Sequence, residues 1–346
     1  MKKVFAALRE ELRAGRGAVL CSIVSSSGST PRGAGAKMLV REDGTALGTI
    51  GGGAVEYRSI QLAGELSRQR RSHLQSYRLS SGEVADIGMI CGGNVQVYFQ
   101  YFDPSDRAQL PVLDAVLELL DGGRAAWLVT AAAPDGAWRM GTYDKERGLR
   151  FLEGIDMDRV EPLLGSRCLL AEGEDLLCAE PLGRGGTVYL FGGGHVGREL
   201  AHILSMADFR VVVYDERPHA ADRAYFPDVS AVLCGPYAQA LERVGPIREA
   251  DYVVIMTPGH QADYTVLSQV RATPARYIGC IGSRKKVAIT RQRLLADGFA
   301  QAEIDRVHAP IGLPIGGETP AEVAVSVAAE MIACRSGRLT EGGTLR

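Results

Sequence analysis

Gly192, Gly194 and Gly197 lie directly behind the apolar run Val188–Phe191 and directly ahead of a helical pattern over Arg198–Met206. A strand, a glycine turn and a helix in that order leave few folds open. Gly192 permits the tight turn, Gly194 lets backbone approach a phosphate, and Gly197 lets the helix close on the sheet. The helix N-terminus then offers N–H groups to an anion, so NAD(P) or another nucleotide is the ligand class expected there. Asp215 ends the next apolar run, 18 residues past Gly197, where an acceptor for a ribose hydroxyl is expected. His195 sits inside the turn, either within reach of a ligand or simply capping the helix. With Glu199 and His202 it falls at i, i+4, i+7 on one helix face, yet its position at the fraying helix start argues against a metal site.

The rest of the C-terminal half keeps the same grammar. Apolar runs at 210–214, 231–233, 252–256 and 277–281 are continuous, as strands buried on both faces of a parallel sheet require. An alanine- and valine-rich helix follows over 320–334. Two loops at strand ends carry chemistry: Met256–His260, where His260 and Asp263 can bond a ligand or move a proton, and Gly282–Lys286, where Lys285 and its neighbours can gather a phosphate. Before the last helix, Thr319 is placed as N-cap and Pro320 as first helical residue, with Glu318 as a further acceptor.

A chain of 346 residues exceeds one ordinary core and should hold two domains. We expect a mixed α/β domain over 1–183, in which 105–180 carries little motif signal, a Rossmann-like domain over 187–335, and a flexible tail over 336–346. Arg184-Gly185-Gly186 is the expected linker. The fold class is therefore α/β, a C-terminal Rossmann-like parallel sheet preceded by a separate mixed α/β domain. In the first domain we expect helices over 3–14, from Gly51 to about Arg71, and over 107–120. Strands are expected over 18–25, 36–41, 46–50, 74–79, 95–102, 125–131, 139–144, 167–171 and 176–181.

A formal net charge of −2 gives no basic face for nucleic acid. No apolar run approaches the ~20 residues that cross a bilayer, and Arg9-Glu10-Glu11 interrupts any leader-like core, so no membrane association and a cytoplasmic location are expected. The seven cysteines, none in a Cys-x-x-Cys pair, suit a reducing compartment.

The first domain has its own glycine code. Ser25–Arg32 is dense in hydroxyls and ends in one guanidinium; Ser29, Thr30 and Arg32 suit a multi-oxygen anion, with Lys37 near enough to add charge. Gly51, Gly52 and Gly53 open the second helix, with Glu56 in its first turn. Gly92 and Gly93 follow Cys91 and allow close backbone approach around a thiol. Cys91, set among glycines, is the one cysteine given a sulfur- or metal-related role. Cys21, Cys168, Cys178, Cys234, Cys280 and Cys334 are expected to be small buried apolar residues.

Taken in order, Gly28–Met38, Gly48–Glu56, Gly88–Gly93, Phe191–Gly197, Tyr277–Lys286 and Ile311–Ala324 resemble the xanthine dehydrogenase accessory factors, the XdhC/CoxI family. The resemblance implies a chaperone that binds molybdenum cofactor (molybdopterin), protects it, supports its sulfuration, and inserts it into apo xanthine dehydrogenase or a related molybdenum hydroxylase. It also implies a cysteine desulfurase partner and a homodimer. By position, the cofactor-binding residues would be the three first-domain loops and the Rossmann glycine loop around a shared cleft. The alternatives are an NAD(P)-dependent oxidoreductase, with His260 or Lys285 as acid–base group, and a nucleotide-sensing regulator without cargo.

Overall fold

The computed structural model describes residues 1–78, 93–122, 124–132, 138–165, 167–171, 176–182 and 186–339. The chain divides into two compact units, Met1–Gly183 and Arg184–Arg346.

The first unit begins with α1 (Lys2–Arg13), whose Val4, Phe5, Leu8 and Leu12 share one buried face. Then come β1 (Ala18–Ser27), β2 (Lys37–Arg41), β3 (Ala46–Gly48), α2 (Gly53–Gln69), β4 (His73–Arg78) and β5 (Asn94–Phe102). These five strands form one sheet in the order β3-β2-β1-β5-β4, with every neighbour antiparallel. β1 lies at the centre and is buried without a break from Ala18 to Val24. Its Val19, Cys21 and Ile23 pack with Val55, Ala63 and Leu66 of α2. Its Ala18 and Leu20 belong to a second cluster with α1.

Next come α3 (Gln109–Gly122), β6 (Ala126–Ala132), β7 (Trp138–Asp144), β8 (Gly148–Arg150), α4 (Met157–Val160), β9 (Leu169–Ala171) and β10 (Leu176–Pro181). These strands make a second antiparallel sheet, β8-β7-β6-β10-β9. Phe5 and Leu8 of α1, Leu113 and Val116 of α3, Leu20, Phe102 and Leu128 form one core, so both sheets lean on the same helices. Each such fully buried apolar side chain contributes about 1.5–3 kcal/mol relative to exposure. The stretch with little motif signal thus carries a sheet of its own.

The second unit runs β11 (Thr187–Phe191), α5 (His195–Met206), β12 (Arg210–Asp215), β13 (Ala231–Cys234), α6 (Ala240–Val244), β14 (Tyr252–Ile255), α7 (His260–Val270), β15 (Tyr277–Cys280), α8 (Arg284–Ala296), α9 (Gln301–Asp305), β16 (Val307–His308) and α10 (Pro320–Arg335). The sheet is parallel, in the order β13-β12-β11-β14-β15-β16. One face packs on α5 and α10 through Leu200, Leu204, Val327 and Met331, the other on α7 and α8 through Val266, Leu267 and Leu294. The unit is a Rossmann-like parallel sheet, as its sequence grammar predicts. The expected five strands gain a sixth, β16, whose two residues are too short to show a period. Thr319 and Glu322 close a reciprocal capping box on α10, with Pro320 in its first turn. Leu339 packs against the core of this unit, and residues 340–346 of the expected tail lie outside the described residues. So do Arg184 and Gly185 of the expected linker.

Candidate functional site

In the first unit the glycine loops meet. A Cβ on Gly51 would stand 3.0 Å from Pro31 Cβ and 3.6 Å from Arg32 N. One on Gly93 would run into the Ser27 and Ser29 carbonyls at 2.6 and 2.5 Å, and into Thr30 Cγ2 at 2.8 Å. Segments far apart in sequence are therefore pressed together at backbone distance, which only glycine allows. Ser29 and Arg32 are exposed and Thr30 half-buried. Among the described residues Arg32 makes no ion pair, so its guanidinium is available to an anion. Gly88, Cys91 and Gly92 lie outside the described residues.

Two expected ligand contacts are already committed within the chain. Gly51, Gly52 and Gly53 all take positive φ (132°, 73° and 60°), and their turn closes around the chain's own Glu56. Glu56 Oε2 accepts from Thr49 Oγ1 at 2.5 Å and from the Ile50 and Gly52 N–H groups at 3.1 Å each. Burial pushes this carboxyl up, but the hydrogen bonds from Thr49, Gly52 and Ile50 outweigh it and hold it below its ordinary range. Glu56 is thus the internal anion of a backbone nest. Lys37, expected to add charge to the preceding loop, is the first residue of β2 and is buried. Its Nζ lies 2.5 Å from Glu180 Oε1 and 2.9 Å from Ser22 Oγ.

Beside that pair, Cys168 Sγ and Cys178 Sγ lie 3.2 Å apart. Spacing gives no sign of this contact, because it depends on the pairing of β9 with β10. Cys21, Cys178 and Cys280 are buried and Cys334 half-buried, whereas Cys234 is exposed, against the expectation of a buried apolar residue.

In the second unit the strand order reverses between β11 and β14, the place where open parallel sheets receive ligands. Gly192 follows β11, and a Cβ there would strike Met256 O at 2.2 Å. Gly197 is as tight, with Gly192 O at 2.0 Å, whereas Gly194 faces open space. α5 starts at His195 with no side-chain cap on Gly194. His195 is exposed, and His202, also exposed, faces Asp228 Oδ2 at 3.4 Å.

Asp215 is fully buried at the end of β12. Its Oδ2 accepts from Gly193 N at 2.8 Å, and its Oδ1 accepts from Arg217 N and Nε at 2.9 Å. Arg217 Nη2 adds a second fork contact to Oδ2 at 2.8 Å. Burial pushes the carboxyl up; Arg217 and the Gly193 amide more than reverse it. A ribose diol would have to compete with this fork. Arg198, which the motifs do not single out, stacks its guanidinium 3.4 Å from the Tyr225 ring centroid and donates to Gly193 O at 3.3 Å.

Behind β14 and β15, α7 and α8 wall a shallow cleft that opens to solvent. His260, Asp263 and Lys286 supply its polar edge, and Leu267, Val287 and Leu294 part of its apolar wall. Asp263 Oδ1 accepts from Thr257 Oγ1 at 2.6 Å and Thr257 N at 3.0 Å. Burial, only partly offset by those bonds, pushes its carboxyl above the ordinary range. The cleft takes Lys286 from the Gly282–Lys286 loop; the expected Lys285 is exposed on the first turn of α8. Among the described residues no cluster of His, Cys, Asp and Glu could hold a metal ion, and no helix is long and apolar enough to cross a membrane.

A Rossmann-type parallel sheet that follows a unit of two antiparallel sheets and converging glycine loops defines a two-unit α/β protein. The family model described as the XdhC Rossmann domain matches residues 188–331, and the model described as the XdhC and CoxI family matches 11–78. The chain belongs to the XdhC and CoxI family.

Relatives extend the likeness along the chain. A Bacillus subtilis protein described as a probable xanthine dehydrogenase subunit is 28% identical over 332 residues, 92% of this chain and 93% of that protein. The molybdenum cofactor insertion chaperone PaoD of Escherichia coli is 23% identical over 326 residues, 94% of this chain and 86% of PaoD. YqeB of Escherichia coli is 26% identical over 313 residues, but this chain spans only 42% of its length. A solved structure described as a xanthine dehydrogenase from Bacillus halodurans superposes with a TM-score of 0.78 at 26% identity, covering 96% of each chain.

Proposed function

We propose that this chain is a molybdenum cofactor chaperone: it binds the cofactor, protects it, supports its sulfuration and inserts it into xanthine dehydrogenase or a related molybdenum hydroxylase. The carrying observation is its full-length likeness to PaoD, a protein named for cofactor insertion. Apo hydroxylase and a cysteine desulfurase are the partners in this reading, with a homodimer as the working form and the cytoplasm as its place.

The cofactor is a pterin with a phosphate and a metal-bound dithiolene, and here it is cargo. Its phosphate needs donors, which Ser29, Thr30 and Arg32 offer in the first unit and Gly194, His195 and Lys286 in the second. Its flat ring needs an apolar wall with a polar edge, a combination the cleft beside His260 and Asp263 supplies. Cys91, Gly92 and Gly93 remain candidates for the metal end by sequence setting.

The test is retention of cofactor. Cofactor released from a donor molybdoenzyme is mixed with the purified chain and passed through gel filtration. Stoichiometric pterin fluorescence co-eluting with the protein supports the proposal, as does activation of an apo hydroxylase; absence of retained pterin overturns it.

The open space at Gly194 favours a second reading, nucleotide binding at the Rossmann turn with NAD(P)-dependent oxidoreduction at His260. Saturable quenching of Trp and Tyr emission by NADH would promote it. A flat titration would remove it.

A further inference from the structure

Cys168 and Cys178 are separated by a strand reversal. β9 and β10 pair Leu169 with Ala179 and Leu170 with Cys178, so the ladder begins one residue after Cys168. The two side chains are therefore diagonal neighbours on one face, with Cys168 just outside the hydrogen-bonded register. Cys178 is buried and Cys168 half-buried. Both line a narrow cavity together with Ser22, Lys37, Tyr98 and Glu180.

A second feature marks the same cavity. Glu180 is 4% exposed; its Oε1 holds Lys37, while its buried Oε2 has no hydrogen-bond partner among the described residues. Gly35 of the first glycine loop covers this spot. A Cβ there would stand 3.6 Å from Cys168 Cβ and 3.6 Å from Glu180 Oε2. A close thiol pair, a buried carboxylate oxygen with spare acceptor capacity and a glycine roof meet in one place.

We propose that Cys168 and Cys178 form a redox-active dithiol that closes to an intramolecular disulfide on exposure to a peroxide oxidant. Cys168, the more accessible thiol, gives up its proton and attacks one oxygen of hydrogen peroxide. The O–O bond breaks, the departing hydroxide takes that proton to become water, and Cys168 becomes a sulfenic acid. Cys178 then attacks the Cys168 sulfur. The S–O bond breaks, and the leaving hydroxide carries off the Cys178 proton as a second water. Two electrons pass from the sulfurs to the peroxide oxygens, and one S–S bond replaces two S–H bonds.

Closure asks little of the fold. The sulfurs must approach from 3.2 Å to about 2.05 Å, and only Cys178 is held in the ladder. The hydrogen bond with Cys168, together with burial, pushes the Cys178 thiol up, and Cys168, the less buried of the two, is the first to meet an oxidant. The disulfide would draw Cys168 away from Gly35 and couple the oxidation state to the first glycine loop. This site stands independently of the cargo the protein carries.

The test uses the full chain, reduced or treated with hydrogen peroxide, then denatured, alkylated and digested with trypsin. Both cysteines fall in one tryptic peptide, Cys168–Arg184, and Glu172 and Glu174 between them allow Glu-specific cleavage to separate them. After oxidation, double alkylation of this peptide should fall about tenfold or more while dithiothreitol restores it. Glu-specific cleavage should then leave two fragments joined by a disulfide. In Cys168→Ser, Cys178 should remain fully alkylated; in Cys178→Ala, Cys168 should proceed to sulfinic acid. The wild-type digest decides the matter even where a variant fails to fold. Two tags persisting after oxidation, Cys168 sulfinic acid in the wild type, or a bridge to another cysteine would each overturn the proposal.

Discussion

Lys37 Nζ stands 2.5 Å from Glu180 Oε1, an ion pair whose side chains are 4% and 5% exposed, joining β2 of one sheet to β10 of the other. Removing one partner strands a buried charge. Glu180→Ala or Lys37→Ala should cost about 3–5 kcal/mol, whereas Lys37→Met with Glu180→Leu should recover most of the loss. Urea denaturation of the three variants checks this. Single variants within about 1 kcal/mol of the parent would show that the charges are solvated in solution.

Glu56 fills its own glycine nest through three hydrogen bonds, so its loss should be felt as stability before it is felt as binding. Glu56→Ala should destabilise the first unit by about 2 kcal/mol, the cost of buried donors left without an acceptor. Glu56→Gln, which keeps an acceptor without the charge, should cost about half as much. Denaturation midpoints report both. A neutral Glu56→Ala would mean that the turn holds its shape without the carboxylate.

Much of the second unit was legible because its determinants are local. Buried parallel strands read as unbroken apolar runs, and Gly192–Gly197 carries its strand and helix on either side. β16 escaped because Val307–His308 is shorter than any period. In the first unit four strands of the second sheet were readable one by one, whereas the three-residue β8 was too short to show a period. Their separation into a sheet of their own was not readable, since antiparallel partners such as β6 and β10 lie far apart in sequence. The glycine loops were visible by composition, and what fills them was not. Lys37 meets a carboxylate 143 positions later, and Cys168 meets Cys178 only through a strand register. Asp215 stands where the fingerprint requires, but its own Gly193 and Arg217 occupy it.

Glu330 ties the last loop to the sheet. Its Oε2 accepts from Tyr277 Oη at 2.7 Å and Gly312 N at 2.6 Å, and its Oε1 lies 3.2 Å from His308 Nδ1. Burial pushes its carboxyl up, but the bonds from His308, Tyr277 and Gly312 carry it below 4.5. A depressed folded-state value means stability fully present above the unfolded value of about 4.5 and lost as pH falls through the folded one. Glu330→Gln should therefore cost about 1–3 kcal/mol near neutral pH and flatten the acid limb. Denaturation of both proteins at about pH 6 and about pH 3 checks it. An unchanged acid slope would assign acid sensitivity to other carboxylates.

Gly194 and Gly197 separate ligand binding from folding at the Rossmann turn. Gly197 lies where a Cβ would meet Gly192 O at 2.0 Å, and backbone cannot step aside cheaply. Gly197→Ala should therefore destabilise the second unit by about 1–3 kcal/mol or more. Gly194 has φ −72° and ψ −169°, a conformation alanine adopts freely, and no atom lies within 4 Å of its missing Cβ. Gly194→Ala should still fold, at a cost of about 1 kcal/mol, since alanine is a poorer N-cap than glycine but meets no neighbouring atom here. Its methyl group would nevertheless stand where a phosphate approaches the first turn of α5, and should weaken an anionic ligand about tenfold or more. Thermal melts beside titrations with NADH and with the released cofactor check the pair. Gly194→Ala binding both ligands at full strength would move the phosphate site away from this turn, leaving the first-unit loop at Arg32 as its place.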